Sequence, residues 1–183
     1  MGFDLSLFQA IYGLAGKSSF LDFIGIFLAH YLPYFLVILC LVWIFLDPDW
    51  HSRFYRLSLT SLSLIFSWGI VIRLIRFFYP RPRPFLVLSI QPLIGRVDAS
   101  AFPSGHATFF FAMATAIFFI DRRWGVWFFV AAFLVSVGRV FVGVHWPTDV
   151  LFGGALGVLC AYIVRKVLPR PKSSVAEAKP SQT

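Results

Sequence analysis

Three ionisable side chains lie in the apolar stretch GRVFVGVHWPTD, which runs from Gly138 to Asp149. Arg139, His145 and Asp149 would be costly to bury in an apolar setting unless they are paired or used. A helix that starts near Pro147 places Asp149 in its first turn, from where the carboxylate can reach the His145 ring. An imidazole whose tautomer is fixed by a carboxylate is a nucleophile, and the neighbouring arginine suits a phosphate.

A second cluster, Pro103-Ser104-Gly105-His106, is typical of a helix N-terminus. Ser104 is a natural N-cap, and Gly105 lets other groups come close to the backbone. The free N–H groups of the first turn would then face an anion. On this helix His106 is positioned to protonate a departing oxygen, as a general acid does.

Arginines supply the positive charge of the predicted site. The segment RFFYPRPRPF contributes Arg76 and Arg83. Together with Arg139 they offer planar guanidinium groups, whose forked N–H donors suit phosphate oxygens. Phosphoryl transfer needs charge neutralisation and positioning, which the arginines and the helix end provide. The sequence therefore predicts phosphoryl transfer to a histidine.

A metal site is the alternative chemistry for the same residues. His106, His145 and Asp149 would offer two imidazoles and one carboxylate, a set that can ligate zinc. Three nearby arginines oppose it, because they repel a further cation. We therefore expect neither a metal nor another cofactor.

The elements that position these residues are predicted to be membrane-spanning helices. Of 183 residues, 59% are hydrophobic and 13% are charged, which leaves more apolar surface than a soluble domain of this size can bury. Apolar runs predict five spans, at residues 21–46, 57–78, 104–120, 124–142 and 148–167, the first bent near Pro33. Residues 3–15 predict a short helix on the membrane surface. The expected fold class is all-α, a polytopic transmembrane helical bundle of about five spans plus an N-terminal interfacial helix.

A single membrane domain is expected over residues 1–168, since nothing repeats. Residues 169–183 are polar and rich in proline, which predicts a disordered cytoplasmic tail. Cys40 and Cys160 lie inside apolar runs and are expected to be buried hydrophobic residues rather than a disulfide or a metal pair.

Basic residues are divided unequally between the two ends of the bundle. The 47–56 loop, the 121–123 turn and the tail hold nine, whereas the N-terminus and the other two loops hold four. The positive-inside rule then predicts a cytoplasmic C-terminus and a site on the opposite face. The nine are Arg53, Arg56, Arg122, Arg123, Arg165, Lys166, Arg170, Lys172 and Lys179, and the four are Lys17, Arg81, Arg83 and Arg96.

Taken together, the clusters resemble the three-part signature of the type 2 phosphatidic acid phosphatase superfamily. That signature reads Lys-x6-Arg-Pro, Pro-Ser-Gly-His and Ser-Arg-x5-His-x3-Asp, and the likeness spans the second to fifth predicted spans. Arg76 stands here for the lysine and Gly138 for the first serine of the third part. The resemblance implies that His145 forms a phosphohistidine, that Asp149 orients it and that His106 is the general acid. It also implies a phosphate held by Arg76, Arg83, Ser104, Gly105 and Arg139.

Within this superfamily the chain is most similar to the small bacterial undecaprenyl-diphosphate phosphatases of the bacitracin-resistance kind. The similarity lies in the short length, the opening LFQAIYGLAGKSSFLDFIGIFLAHY and the PRPF context. It implies a multi-pass protein of the bacterial inner membrane that converts undecaprenyl diphosphate to undecaprenyl phosphate. Related branches act on phosphatidylglycerophosphate, phosphatidic acid or lipid A, and these substrates stay open. The expected partners are the lipid phosphate and membrane lipids, not nucleic acid.

Two alternatives belong to other functional classes. A transporter or flippase would use the intramembrane charges as a substrate path, but five spans without an internal repeat do not favour it. A non-catalytic lipid-binding protein would not need the complete set of two histidines and an aspartate.

Other polar residues are expected to lie outside the chemistry. Arg73 is expected to extend to the headgroups. Arg81 is interpreted as an interfacial cation, with a secondary substrate contact as the alternative. Four more are expected to be solvated, locally paired or non-catalytic: Arg96, Asp98, His30 and His51.

Overall fold

A computed structural model describes residues 2–95 and 100–169 of the chain. These ranges contain seven helices: α1 Gly2–Tyr12, α2 Ser19–Phe45, α3 Trp50–Phe78, α4 Pro84–Val87, α5 Gly105–Ile120, α6 Arg122–Phe141 and α7 Pro147–Val167. Helices α2, α3, α6 and α7 are long and apolar enough to cross a membrane, and α5 is a shorter apolar helix. The predicted all-α transmembrane bundle is confirmed. Arg96, Asp98 and the predicted tail beyond residue 169 lie outside the described residues.

The three C-terminal spans match their predicted bounds to within a few residues, but the second span begins earlier than predicted. Helix α3 starts at Trp50, not near residue 57. Asp49 is its N-cap, since the Asp49 carboxylate accepts the Ser52 N–H at 2.7 Å. Asp47 pairs with Arg56 beside it. The polar residues of the predicted 47–56 loop are therefore mostly the capped first turns of a helix.

Helices α2 and α3 each contain a π-helical segment, at Phe27–Tyr31 and Ile65–Val71. Pro33 follows the first segment closely, and it has no N–H to offer the Ala29 carbonyl four residues earlier. The irregularity expected near Pro33 thus takes the form of a wider helical turn. Such turns inside α-helices are frequent at functional sites.

Helix α5 lies at the centre of the bundle, packed against both α6 and α7. Its Phe110, Met113 and Ile117 join buried side chains of α2 and α6 in the main apolar core. Helix α7 comes very close to α5 at Gly153, where a Cβ atom would lie 2.7 Å from the Ser104 carbonyl oxygen. This contact sets the first turn of α7 beside the start of α5. Both cysteines are buried and free, as predicted.

Helix α1 confirms the predicted N-terminal helix, but it packs on the bundle through buried residues. It contacts α6 and α7, and its Asp4 and Phe8 are buried. The Phe8 ring lies 5.2 Å from the Trp146 ring, just before α7. The N-terminal helix therefore covers the end of the bundle at which α7 begins.

Candidate active site

The structure brings all eight predicted site residues to one end of the bundle. Arg76 lies in the last turn of α3, and Arg83 directly precedes α4. The start of α5 carries Ser104, Gly105 and His106, and the last turn of α6 carries Arg139. His145 precedes α7 and Asp149 lies in its first turn. Loops and helix ends from five elements thus enclose one cluster, as the order of the spans predicted.

His145 is the most deeply placed base of the cluster, with 1% of its surface exposed. Its Nε2 atom lies 3.4 Å from Nη1 of Arg83. Burial, followed by the charges of Arg83 and Arg139, holds the pKa of His145 well below its ordinary value. The ring is therefore neutral near pH 7, as a nucleophilic imidazole must be.

Asp149 is fully buried beside this ring, but it does not make the expected hydrogen bond to it. Its Oδ2 atom lies 3.6 Å from Nδ1 of His145, which is beyond hydrogen-bond distance. Oδ2 instead accepts the Trp146 N–H at 2.8 Å. His145 Nδ1 is left buried without a hydrogen-bond partner among the described residues. Such contacts are often loose before substrate binds and tighten in the reacting complex.

Each of the three predicted phosphate-binding arginines is anchored on a backbone carbonyl. Arg76 donates to the Pro103 carbonyl at 2.9 Å, and Arg83 donates to the Val144 carbonyl at 2.8 Å. Arg139 lies 3.4 Å from the Ala29 carbonyl oxygen, which Pro33 leaves available. Hydrogen bonds of this kind hold the guanidinium groups in place before a ligand binds.

Two of these arginines, Arg76 and Arg139, also retain an unused hydrogen-bond donor. In the described part of the chain, the buried Nε atoms of Arg76 and Arg139 have no hydrogen-bond partner. Burial and the nearby charge of Arg76 lower the pKa of Arg83 to about 10, so Arg83 stays charged at neutral pH. Buried donors without partners are costly, so their clustering points to an anionic ligand.

The start of α5 has the predicted N-terminal geometry. Ser104 is the N-cap, and its Oγ lies 3.4 Å from the Ala107 nitrogen that donates to it. A Cβ atom at Gly105 would lie 3.2 Å from Trp68 Nε1 and 3.4 Å from Arg76 Nη2. Glycine therefore allows two side-chain donors to approach the helix end, where backbone N–H groups also favour an anion.

His106 is half-buried and joins the arginine cluster to an apolar cavity. It is within electrostatic range of Arg139, His145 and Arg83. The cavity has a volume of about 230 Å³ and is lined by His30, Pro33, Tyr34, Val37, Trp68, Gly105, His106, Phe109 and Phe110. Both π-helical segments contribute to this lining. His106 is thus placed between a cationic cluster and a mainly apolar space.

Gly138, which stands where the signature has serine, is explained by helix packing. A Cβ atom at this position would lie 2.9 Å from both the Ala29 nitrogen and the Leu28 Cβ. Glycine lets α6 approach the π-helical segment of α2 closely enough for Arg139 to contact Ala29. The departure from the signature therefore serves the placement of the neighbouring arginine.

The interpretation of Arg81 as an interfacial cation was wrong. Its Nη1 donates to Asp149 Oδ1 at 2.6 Å, and its Nη2 donates to Asp4 Oδ2 at 2.5 Å. Sequence reasoning missed this pair because Asp4 is far away in the chain. An acidic residue in the apolar helix α1 was the one available signal.

The described residues contain no group of three or more His, Cys, Asp or Glu side chains arranged to hold a metal ion. The Asp149 oxygens accept from Arg81 and from the Trp146 N–H. The alternative zinc site would need this carboxylate as a ligand. The geometry therefore favours the phosphate interpretation over the zinc interpretation.

Comparison with known proteins gives consistent matches. The sequence profile of the PAP2 superfamily matches residues 56–172. Undecaprenyl-diphosphatase BcrC of Bacillus subtilis (strain 168) is 30% identical over 162 residues, covering 87% of this chain and 81% of that protein. The putative undecaprenyl-diphosphatase YbjG of Escherichia coli (strain K12) is 29% identical over 167 residues, covering 88% and 82%. The crystal structure of Aquifex aeolicus LpxE is similar in fold, with a TM-score of 0.74, 24% identity, and coverage of 88% of this chain and 94% of that one.

Proposed function

The chain belongs to the PAP2 superfamily, and we propose that it removes the terminal phosphate from a lipid phosphate or diphosphate through a phosphohistidine intermediate. The observation that carries the proposal is the position of His145. Its Nε2 lies 3.4 Å from Arg83, in a cluster where the buried Nε atoms of Arg76 and Arg139 have no hydrogen-bond partner among the described residues. A neutral imidazole beside an anion-binding cluster suits attack on phosphorus.

In the first step the terminal phosphate lies against Arg76, Arg83, Arg139 and the start of α5. His145 Nε2 attacks phosphorus, and the bond from phosphorus to the lipid-side oxygen breaks. His106, protonated in the substrate complex where the phosphate charge offsets the arginines, donates that proton to the oxygen, so the lipid product leaves with this oxygen protonated. The arginines and helix N–H groups stabilise the charge on the transferred group.

In the second step water attacks the phosphohistidine. His106, now without its proton, accepts a proton from the water as the new oxygen–phosphorus bond forms. The phosphorus–nitrogen bond breaks and inorganic phosphate is released. Both halves of the reaction therefore use the same pair of histidines, and the proton returns to its starting place.

The lipid side of the substrate is assigned to the cavity next to His106. The cavity walls are mainly apolar, with Val37, Phe109 and Phe110 among them. A lipid attached to the leaving oxygen would extend from His106 into this space. Undecaprenyl diphosphate is the favoured substrate because both relatives described above are named as undecaprenyl-diphosphatases or putative ones.

The site is proposed to face the extracytoplasmic side of a bacterial inner membrane, with the C-terminus in the cytoplasm. Among the four basic residues that the sequence assigns to the loops on the site side, Arg81 is paired within the protein with Asp149 and Asp4. This strengthens the positive-inside argument from the nine basic residues at the other end. Residues 1–168 are proposed as one phosphatase domain, followed by a cytoplasmic tail at 169–183.

The test is phosphate release from undecaprenyl diphosphate by purified protein in detergent that contains EDTA. We expect activity to survive chelation and to disappear in His145→Ala, together with the acid-labile phosphoenzyme. His51→Ala is the matched control, since the His51 side chain is 72% exposed and contacts only Asp49 among the ion pairs of the described residues. Full activity in His145→Ala, or its loss with EDTA, would contradict the mechanism.

A substrate panel then distinguishes the lipid classes. The same assay is run with undecaprenyl diphosphate, phosphatidylglycerophosphate, phosphatidic acid and lipid A at equal detergent fractions. We expect the highest kcat/KM for undecaprenyl diphosphate. Transfer of labelled lipid phosphate across a vesicle membrane without phosphate release would instead favour a flippase.

A further inference from the structure

Arg81 joins two carboxylates from opposite ends of the chain. Besides its contacts with Asp149 and Asp4, its Nη1 donates to Thr148 Oγ1 at 2.8 Å. Thr148 in turn donates to both Asp4 oxygens, from its N–H at 3.0 Å and from its hydroxyl at 2.8 Å. The result is a closed hydrogen-bonded network between α1, the segment before α4 and the first turn of α7. Networks of this kind hold their members in one geometry.

Asp149 depends on this network for one of its two oxygens. Oδ2 accepts the Trp146 N–H and faces Nδ1 of His145, whereas Oδ1 accepts from Arg81. A fully buried carboxylate is unfavourable unless its charge is paired and its oxygens are hydrogen-bonded. Arg81 provides both, and the two bonds together fix which edge of the carboxylate is turned to the His145 ring.

Asp4 has the corresponding role for Arg81. Burial alone would raise the pKa of the Asp4 carboxyl, but hydrogen bonds from Arg81 and Thr148 outweigh it and lower the pKa. Asp4 is therefore charged at neutral pH and holds the second arm of the Arg81 fork. The fork is further restrained by the Trp146 ring, whose centroid lies 5.5 Å from the guanidinium carbon.

Helix α1 is fastened to this network by packing as well as by charge. Phe8 stacks on Tyr12 at 5.3 Å and contacts Trp146. The Tyr12 hydroxyl donates to the Gln91 carbonyl at 2.8 Å. The carboxylate of Asp4 is therefore presented by an anchored helix, so its position is defined independently of Arg81.

We propose that Arg81 and Asp4 are positioning residues of the active site: Asp4 orients the Arg81 fork, and Arg81 holds Asp149 in its orientation toward His145. The N-terminal helix is then a functional part of the site. The inference rests on the proposed function, because it concerns the orientation of the proposed nucleophile. Arg81 acts through Asp149 and does not contact the substrate.

The test compares Arg81→Lys, Arg81→Met, Asp4→Asn, Asp4→Ala and the double variant Asp4→Ala/Arg81→Met in the undecaprenyl diphosphate assay. Lys17→Met and Asp22→Asn are matched controls, since both change an N-terminal charge away from the network. We expect Arg81→Met to lower kcat by about 10–100-fold, the size of loss found when the hydrogen-bond partners behind metal-ligating histidines and carboxylates are removed. KM stays unchanged, because the loss occurs in the reacting state.

Arg81→Lys recovers part of the kcat, since it keeps the charge but not the two-armed fork. The double variant is no slower than Arg81→Met alone, because the proposed effect of Asp4 on Asp149 is exerted through Arg81. Melting temperatures are measured in parallel. If Arg81→Met does not fold, the kcat and KM of Arg81→Lys and Asp4→Asn test the inference instead.

Three results would overturn the inference. A higher KM at unchanged kcat in Arg81→Met would make Arg81 a substrate contact. Additive losses in the double variant, or losses that follow the melting temperature alone, would make the network merely structural. An active wild-type protein with an equally active Arg81→Met refutes this inference and leaves the proposed function intact, whereas a wild-type protein inactive on every lipid phosphate removes both.

Discussion

Nη1 of Arg83 lies 3.4 Å from Nε2 of His145 and at the same time donates to the Val144 carbonyl at 2.8 Å. Arg83 stands between two prolines in extended backbone, so its position before α4 is restricted. A permanent charge is thus held at the ring nitrogen proposed to attack phosphorus. It disfavours the protonated ring and attracts the phosphate oxygens to the same place.

The first prediction concerns pH. Burial and the facing charges of Arg83, Arg139 and Arg76 lower the pKa of His145 below its ordinary 6.5. The rate of phosphoenzyme formation should therefore not fall near pH 6.5 through protonation of this ring. In Arg83→Gln one positive charge is lost, so the pKa of His145 rises. The acid limb of the profile of phosphoenzyme formation rate against pH then moves to higher pH. Rapid-quench trapping of the phosphoenzyme across the pH range measures the limb.

Arg83→Gln is also expected to be slower at its best pH, by about 10²–10³-fold, because a donor to the transferred group is removed. Asp149 and the other arginines are retained in this variant, so the shift of the acid limb reports the loss of the Arg83 charge. Arg73→Gln, at an exposed position of α3, serves as control. An acid limb at the same pH in wild type and Arg83→Gln would count against this arrangement.

The second prediction concerns Arg76, which stands where the signature has lysine. Arg76→Lys keeps the charge near Gly105 but loses the fork that contacts the Pro103 carbonyl. We expect kcat/KM to fall by less than about 10-fold in Arg76→Lys and by about 10²–10³-fold in Arg76→Met. Steady-state kinetics of both variants check the order. Equal losses in the two would show that the charge of Arg76 is not what matters.

The third prediction restores the serine of the signature. In Gly138→Ser the new Cβ would press on Ala29 and Leu28, so α6 and α2 must move apart. We expect a loss of stability of about 1–3 kcal/mol, as in other overpacked interiors. Thermal unfolding in detergent measures it. Gly69→Ser is the control, because its nearest neighbour would be an Ile65 methyl 3.9 Å away; similar losses in both variants would argue against a specific contact at Gly138.

The fourth prediction tests the cavity beside His106. Val37→Trp fills part of its volume of about 230 Å³. We expect KM for undecaprenyl diphosphate to rise several-fold with kcat little changed, since binding of the lipid is weakened without a change at the reacting atoms. Ile38→Trp is the control, because Ile38 is 60% exposed on the outside of the bundle. An unchanged KM in Val37→Trp would place the lipid elsewhere.

Short-range patterns in the chain were sufficient to predict the helix starts that carry the proposed reacting groups. The predicted N-cap at Ser104 and the helix start at Pro147 are both observed, because capping and the conformational restriction of proline act within a few residues. The start of α3 was mispredicted for the opposite reason. Its first turns are polar, so hydropathy concealed a helix that Asp49 caps.

The sequence by itself determined the membrane-spanning helical class, the order of the spans and the set of residues gathered at one end. Span length, helix caps and motif spacing are local properties, and the alternation of spans decides which ends meet. Only the tertiary structure decided that Arg81 reaches Asp4, 77 residues away, and that Arg139 reaches the Ala29 carbonyl, 110 residues away. These contacts depend on how closely α1, α2 and α6 pack, and that closeness arises from side-chain volumes summed over several helices at once.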